Sequence, residues 1–246
     1  MSAEKTFNAE NLDLYLRELA KEYRKLSGKQ TKAEIILVGG AAILTNYGFR
    51  EMTTDIDAVI LASGAMKDAI NHVRDKYHLA NGWLNADFVN TPSYSSTLAA
   101  HSEYVCTRSN ILEIRTMKGP YLIAMKLVSG RRYKADLSDI VGILYEHQLA
   151  ENPIDFAMID HAMTDLYGSW DMVDDYSRAV LESALNAPDL KTLFETQMEE
   201  ELQAKESILE IDSKYPDLVN ADNINDIIEQ ARKKKDQRAN ENRRNP

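Results

Sequence analysis

The sequence predicts an α+β fold: a mixed sheet flanked by helices over residues 1–148, followed by an all-helical region over 149–232. Three observations carry that reading. Short β-branched, apolar runs alternate with helical spacing before residue 150; strand signals vanish after it; and charge density rises at the same point. Residues 233–246 read as a basic, disordered tail, because the last fifteen residues, RKKKDQRANENRRNP, carry seven Lys or Arg against Asp236 and Glu241.

Each element has a local cause. Leu12, Leu16, Leu19, Tyr23 and Leu26 fall at helical steps within 9–27, and Gly28 closes that run. EIILV (34–38) is a strand that stops at Gly39-Gly40, and AAILTNYG is a short helix that stops at Gly48. TDIDAVIL (54–61) is the next strand. Met66, Ala69, Ile70, Val73 and Tyr77 then make one stripe of a helix over 64–79. WLNADFV, EYVCT and ILEIRT are strand-like between 82 and 116. Gly119-Pro120 opens a helix that ends at Gly130, and RRYKADLSDIVGILYEH supplies another, with Asp136 or Ser138 near its start. Helical patterns follow at 153–167, 171–186, 188–211 and 221–235.

Composition narrows the function. With 246 residues, 44% hydrophobic and 28% charged, the chain can bury a core and is globular rather than disordered. A net charge of −10 argues against general nucleic-acid binding. No apolar run is long enough for a membrane span, and MSAEKTFNAENLDLYL lacks a signal-peptide pattern. Cys106 is the single cysteine, so no intrachain disulfide forms; it reads as a small buried residue. A cytoplasmic location is expected.

The stretch ILVGGAAILTNYGFREMTTDIDAVI (36–60) concentrates the chemistry. On a strand, residues two apart share a face, so Asp55 and Asp57 project together. Two adjacent carboxylates repel, and a divalent cation between them removes that cost. The glycine pair lets backbone approach a ligand, and the helix that follows offers free N–H groups to phosphate. The G-x-G-x-x-G dinucleotide pattern fails at Ala41. The five histidines show no metal-ligand spacing.

Gly39-Gly40, a short helix, then Asp55-x-Asp57 on a strand resembles the signature of the DNA polymerase β-type nucleotidyltransferases. The flanking text is similar to the bacterial branch that includes aminoglycoside and lincosamide nucleotidyltransferases and AbiEii-like toxin enzymes. WLNADFV and YLIAMKLVSGRRYKADLSDI resemble later segments of a further family in that branch, so the resemblance spans roughly residues 30–147. It implies transfer of a nucleoside monophosphate from an NTP to an acceptor, with two Mg²⁺ ions held by three carboxylates. Asp55 and Asp57 match the first two. Asp87 is the first choice for the third by order along the chain, with Glu113 as the fallback. The resemblance places Gly39, Gly40, Arg50, Thr54 and Lys126 at the nucleotide, with Arg131 or Arg132 as further phosphate contacts.

Blander readings stand beside these. Asp87 also reads as a loop residue between Asn85 and Asn90, and Lys126 as a lysine snorkelling from a core helix. Asp136 and Asp139 read as residues that cap and orient their helix rather than bind metal. The resemblance leaves the acceptor open between a small molecule, a tRNA and a protein hydroxyl, with RNA disfavoured by charge. The helical half is expected to shape the acceptor pocket or to form a homodimer. The alternative is a non-catalytic nucleotide-binding or regulatory module, such as one component of a toxin–antitoxin pair.

Overall fold

The computed structural model of the chain describes residues 6–215, 218, 220 and 223–230. The first helix, α1 (Ala9–Ser27), is held at its start by a reciprocal cap. The Asn8 side chain accepts from the Asn11 amide, and the Asn11 side chain accepts from the Asn8 amide. Its apolar stripe, Leu12, Leu16, Leu19 and Tyr23, is buried. Gly28 stops it at a φ of 82°, which a glycine adopts without strain.

Five strands make one mixed sheet: β1 (Ala33–Leu37), β2 (Ile56–Leu61), β3 (Leu84–Asn85), β4 (Ser102–Arg108) and β5 (Leu112–Met117), in the order β3-β2-β1-β5-β4. β1 is central and almost wholly buried, which its unbroken apolar run requires. It pairs antiparallel with β2 and parallel with β5. β2 and β3 are parallel, and β4 and β5 antiparallel. Half-buried Cys106 lies on β4, less enclosed than expected.

The short helix α2 (Gly39–Asn46) starts at the glycine pair itself, earlier than its sequence pattern indicates. α3 (Ala65–Tyr77) packs on α1. α4 (Gly119–Ser129) and α5 (Asp136–Leu149) pack together, and α5 also meets α7 (Asp175–Leu185) and α8 (Leu190–Lys214), while α6 (Phe156–Tyr167) rests on α4. A further helical segment covers 224–230. One apolar core runs from Phe7 to Leu190 and crosses residue 148 without a break. No helix among the described residues is long and apolar enough to cross a membrane. The basic tail, 233–246, lies outside the described residues.

WLNADFV departs from its expected strand. Pairing stops at Asn85, and Asp87 opens a 3₁₀ turn over Asp87–Asn90. The Asn85 side chain accepts from the Asp87 amide at 3.0 Å, an Asx turn that takes the backbone off the ladder.

Candidate functional site

The geometry follows from how β1 hands over to α2. β1 ends at Leu37, opposite Ala58, and the Val38 amide donates to the Asp57 carbonyl at 3.0 Å. Asp57 therefore stands where the chain turns out of the sheet into the glycine pair. Gly39 holds a φ of 56°, and a Cβ there would lie 3.6 Å from Asp57 Oδ2. At Gly40 a Cβ would be 2.5 Å from Thr53 Oγ1 and 3.1 Å from Arg50 Nη2. No side chain caps α2, so its N-terminal end faces the acid pair with its positive dipole uncovered.

Asp55 lies one residue before β2 and is exposed; Asp57 is half-buried within it. Burial pushes the Asp57 carboxyl above its ordinary value, and the Asp55 charge adds to that. The Asn85 side chain, on the β3 residue directly opposite, works the other way, as do the nearby charges of Arg131 and Lys134. The pair is thus a concentration of negative charge that the chain only partly offsets. Thr54 is exposed, its hydroxyl 3.5 Å from Asp55 Oδ1.

Behind the pair lies a buried ion network. Lys126 Nζ is 2.8 Å from Asp136 Oδ1 and 2.8 Å from Asp139 Oδ2. Arg131 grips Asp136 with Nε at 2.8 Å and Nη2 at 3.1 Å, and Arg50 Nη1 is 2.6 Å from Asp139 Oδ2. Burial alone would lower the lysine, but Asp136 and Asp139 hold it above its usual value. Burial likewise opposes ionisation of Asp136, yet Lys126 and Arg131 keep that carboxyl well below the carboxylate range. Three cations against two anions leave one net positive charge beside the Asp55–Asp57 pair.

The structure thus brings Asp55, Asp57, Gly39, Gly40, Thr54 and Arg50 together. Lys126 differs from its expected place at the triphosphate: its ammonium is enclosed and taken up by two carboxylates. Asp136 and Asp139 do orient α5, but they do so by binding cations, not as its cap. Asp87 is exposed on its 3₁₀ turn, and among the described residues no three His, Cys, Asp or Glu side chains are grouped to hold a metal ion. Glu113 is excluded by register. It aligns with Glu34, which aligns with Leu61, four residues along β2 from Asp57. That is about 13 Å at the strand rise, and Glu113 is bound to Arg115 at 2.6 Å.

Sequence reasoning missed Asn85 and Lys134. Asn85 sits inside WLNAD, a turn signal whose pairing with Asp57 only the sheet order reveals. Arg132, weighed with Arg131 for phosphate, instead points at the C-terminal helices, 3.6 Å from Asp174 and 4.2 Å above the Tyr176 ring. A cavity of about 550 Å³, lined by Tyr47, Lys118, Tyr121 and His147 among others, lies at the far ends of α2, α4 and α5 from the acid pair.

The model of a family described as a nucleotidyltransferase of unknown function, DUF6036, matches residues 15–187, and the chain belongs to that family. No curated protein and no solved structure matches it.

Proposed function

We propose that this member of the nucleotidyltransferase family binds an NTP with Mg²⁺ at the Asp55–Asp57 pair and transfers its nucleoside monophosphate to a hydroxyl acceptor. The observation that carries this reading is the close approach of Asp57 to Gly39, where an added Cβ would lie 3.6 Å from Oδ2, which sets an uncapped helix start beside that carboxylate. The donor set fits a hard cation: two carboxylates two residues apart, with the Asp57 carboxyl raised first by burial and then by the Asp55 charge. Asp55 and Asp57 would hold the ion, which when bound offsets phosphate charge and acidifies the acceptor hydroxyl.

The chain's own groups do the rest. The start of α2 receives phosphate oxygens on backbone amides. Arg131 and Lys134 bring positive charge to the same place, Arg131 fixed by its two-point grip on Asp136. Arg50, clamped by Asp139, closes over Gly40. The reaction joins the acceptor oxygen to the α-phosphorus, breaks the bond from that phosphorus to the bridging oxygen, and releases pyrophosphate and a proton. The resemblance to drug-modifying and toxin-type enzymes supports a small molecule, a tRNA or a protein as acceptor, and the acidic body favours a cationic small molecule.

A second reading has its own observation. No third acid joins Asp55 and Asp57 among the described residues, which favours a nucleotide-binding regulatory module, such as a toxin–antitoxin component.

Incubating the chain with α-³²P NTPs and cell extract separates the two. Label on RNA, protein or a small molecule, lost in Asp55→Ala and Asp57→Ala with melting unchanged, supports transfer. Binding of nucleotide with no labelled product supports the module.

A further inference from the structure

We infer that Glu201 is a positioning residue: from α8 it tethers the first turn of α5 and thereby sets Arg131 and Arg50 at the nucleotide site. The inference rests on the function proposed above. α5 begins at Asp136 with Ala135 before it, a residue with no side-chain acceptor for the helix's free amides. Glu201 Oε1 supplies that acceptor across more than sixty residues of sequence. It takes the Leu137 amide at 2.9 Å and the Ser138 amide at 3.1 Å. Glu201 is only 6% exposed, so the carboxyl is committed to this contact rather than to solvent.

The first turn of α5 is also where the ion network is anchored. Asp136 and Asp139 extend from it to Arg131, whose charge acts on Asp57, and to Arg50, whose Nη2 would lie 3.1 Å from a Cβ at Gly40. A shift or rotation of that turn moves both guanidinium groups at once. The loop that carries Arg131 is gripped from the same side. Asn225 donates to the Gly130 carbonyl at 3.3 Å, and Arg132 Nη1 is 3.4 Å from Glu229. At Gly130, with a φ of 52°, a Cβ would lie 2.7 Å from Asp174 Oδ2. Glu201, Asn225 and Glu229 all lie beyond residue 187, where the family match ends. The C-terminal helices therefore complete a site whose acids and glycines come from the matched region.

The test uses the full chain with three variants: Glu201→Ala, Glu201→Gln, and Glu201→Ala combined with Ala135→Ser, which offers α5 a local cap. Two readouts apply: ¹⁵N NMR of the Arg131 and Arg50 Nε–H groups without nucleotide, and the affinity for Mg²⁺ with a non-hydrolysable ATP analogue. Glu201→Ala is expected to displace both arginine signals and weaken nucleotide binding about fivefold. Glu201→Gln, which keeps the acceptor oxygen, restores both. The capped double variant regains melting temperature but keeps displaced arginine signals and weak binding. Wild-type arginine signals in Glu201→Ala, failure of Gln to restore them, or their full return with the local cap would each overturn the inference. Absence of nucleotide binding by the wild-type chain would instead sink the proposed function, and the arginine signals would still decide the role of Glu201.

Discussion

Replacing Lys126 by Met tests whether the buried lysine serves the fold or the nucleotide. Met matches the length of the lysine stem, so the substitution removes charge without opening a large cavity. Lys126 is 8% exposed, with Asp136 at 0% and Asp139 at 3%, so none of the three is well solvated. Removing one partner of a buried ion pair typically destabilises by about 3–5 kcal/mol. Here each aspartate retains a second cation, Arg131 on Asp136 and Arg50 on Asp139. The expected loss is therefore at the lower end, about 3 kcal/mol. Urea unfolding at neutral pH measures it directly. The pH dependence follows from the sign of the shift. The folded chain holds Asp136 below its unfolded value of 3.8, so its stabilising contribution is present above that pH and fades as pH falls. The deficit of Lys126→Met should shrink in acid accordingly. A loss under about 1 kcal/mol, or abolished nucleotide binding with stability intact, would refute this account and return Lys126 to the triphosphate.

Three further outcomes are expected. Gly40→Ala would drive a Cβ to within 2.5 Å of Thr53 Oγ1 and 3.1 Å of Thr53 Cβ; turning the hydroxyl away breaks its bond to the Asp55 carbonyl, and backbone pairing with Phe7 holds the Cβ in place. A stability loss of about 1–3 kcal/mol and weaker nucleotide binding should appear in melting and titration, and an unchanged melt would contradict the crowding. Asp55→Asn removes a charge that helps hold the Asp57 proton, so the Asp57 pKa should fall in a ¹³C NMR titration; no movement would mean that the Asp55 charge does not act on it. Burial pushes Glu201 up to about 8 from an ordinary 4.5, so the folded chain binds that proton more tightly and loses stability as pH rises between those values. With about 1.4 kcal/mol per unit, the ceiling on that loss is about 5 kcal/mol. Urea unfolding of Glu201→Gln should show a flatter profile across the same range, and a profile as steep as wild type would count against a buried proton at Glu201.

Legibility in the sequence tracked how local the cause was. The nearness of Gly39-Gly40 to Asp57 follows from local causes, since β1 hands over to α2 beside the start of β2 and the same twenty-five-residue stretch holds both. The strand runs EIILV and DAVIL emerged as β1 and β2 for the same reason. WLNADFV misled because one Asn85 side chain outcompeted strand propensity over the residues that follow it. Glu113, the fallback for the third carboxylate, lies far along the sheet from Asp57 because of its parallel register with β1, which no local pattern encodes. Lys126 looked like a phosphate lysine because its partners, Asp136 and Asp139, lie across a loop in the next helix. Glu201 gave no local signal, since its ligands are the amides of residues 137 and 138, which only the packing of α8 on α5 brings near.

The central claim is that Asp55 and Asp57 grip a divalent cation while Gly39-Gly40 and the start of α2 take the phosphates. A crystal of the chain grown with Mn²⁺ and a non-hydrolysable NTP tests it most directly, through the metal's anomalous signal. The expected result is an anomalous peak touching both aspartates, with the triphosphate lying over the glycine pair. Nucleotide bound elsewhere, or that same nucleotide seated with no metal on either aspartate, would contradict it.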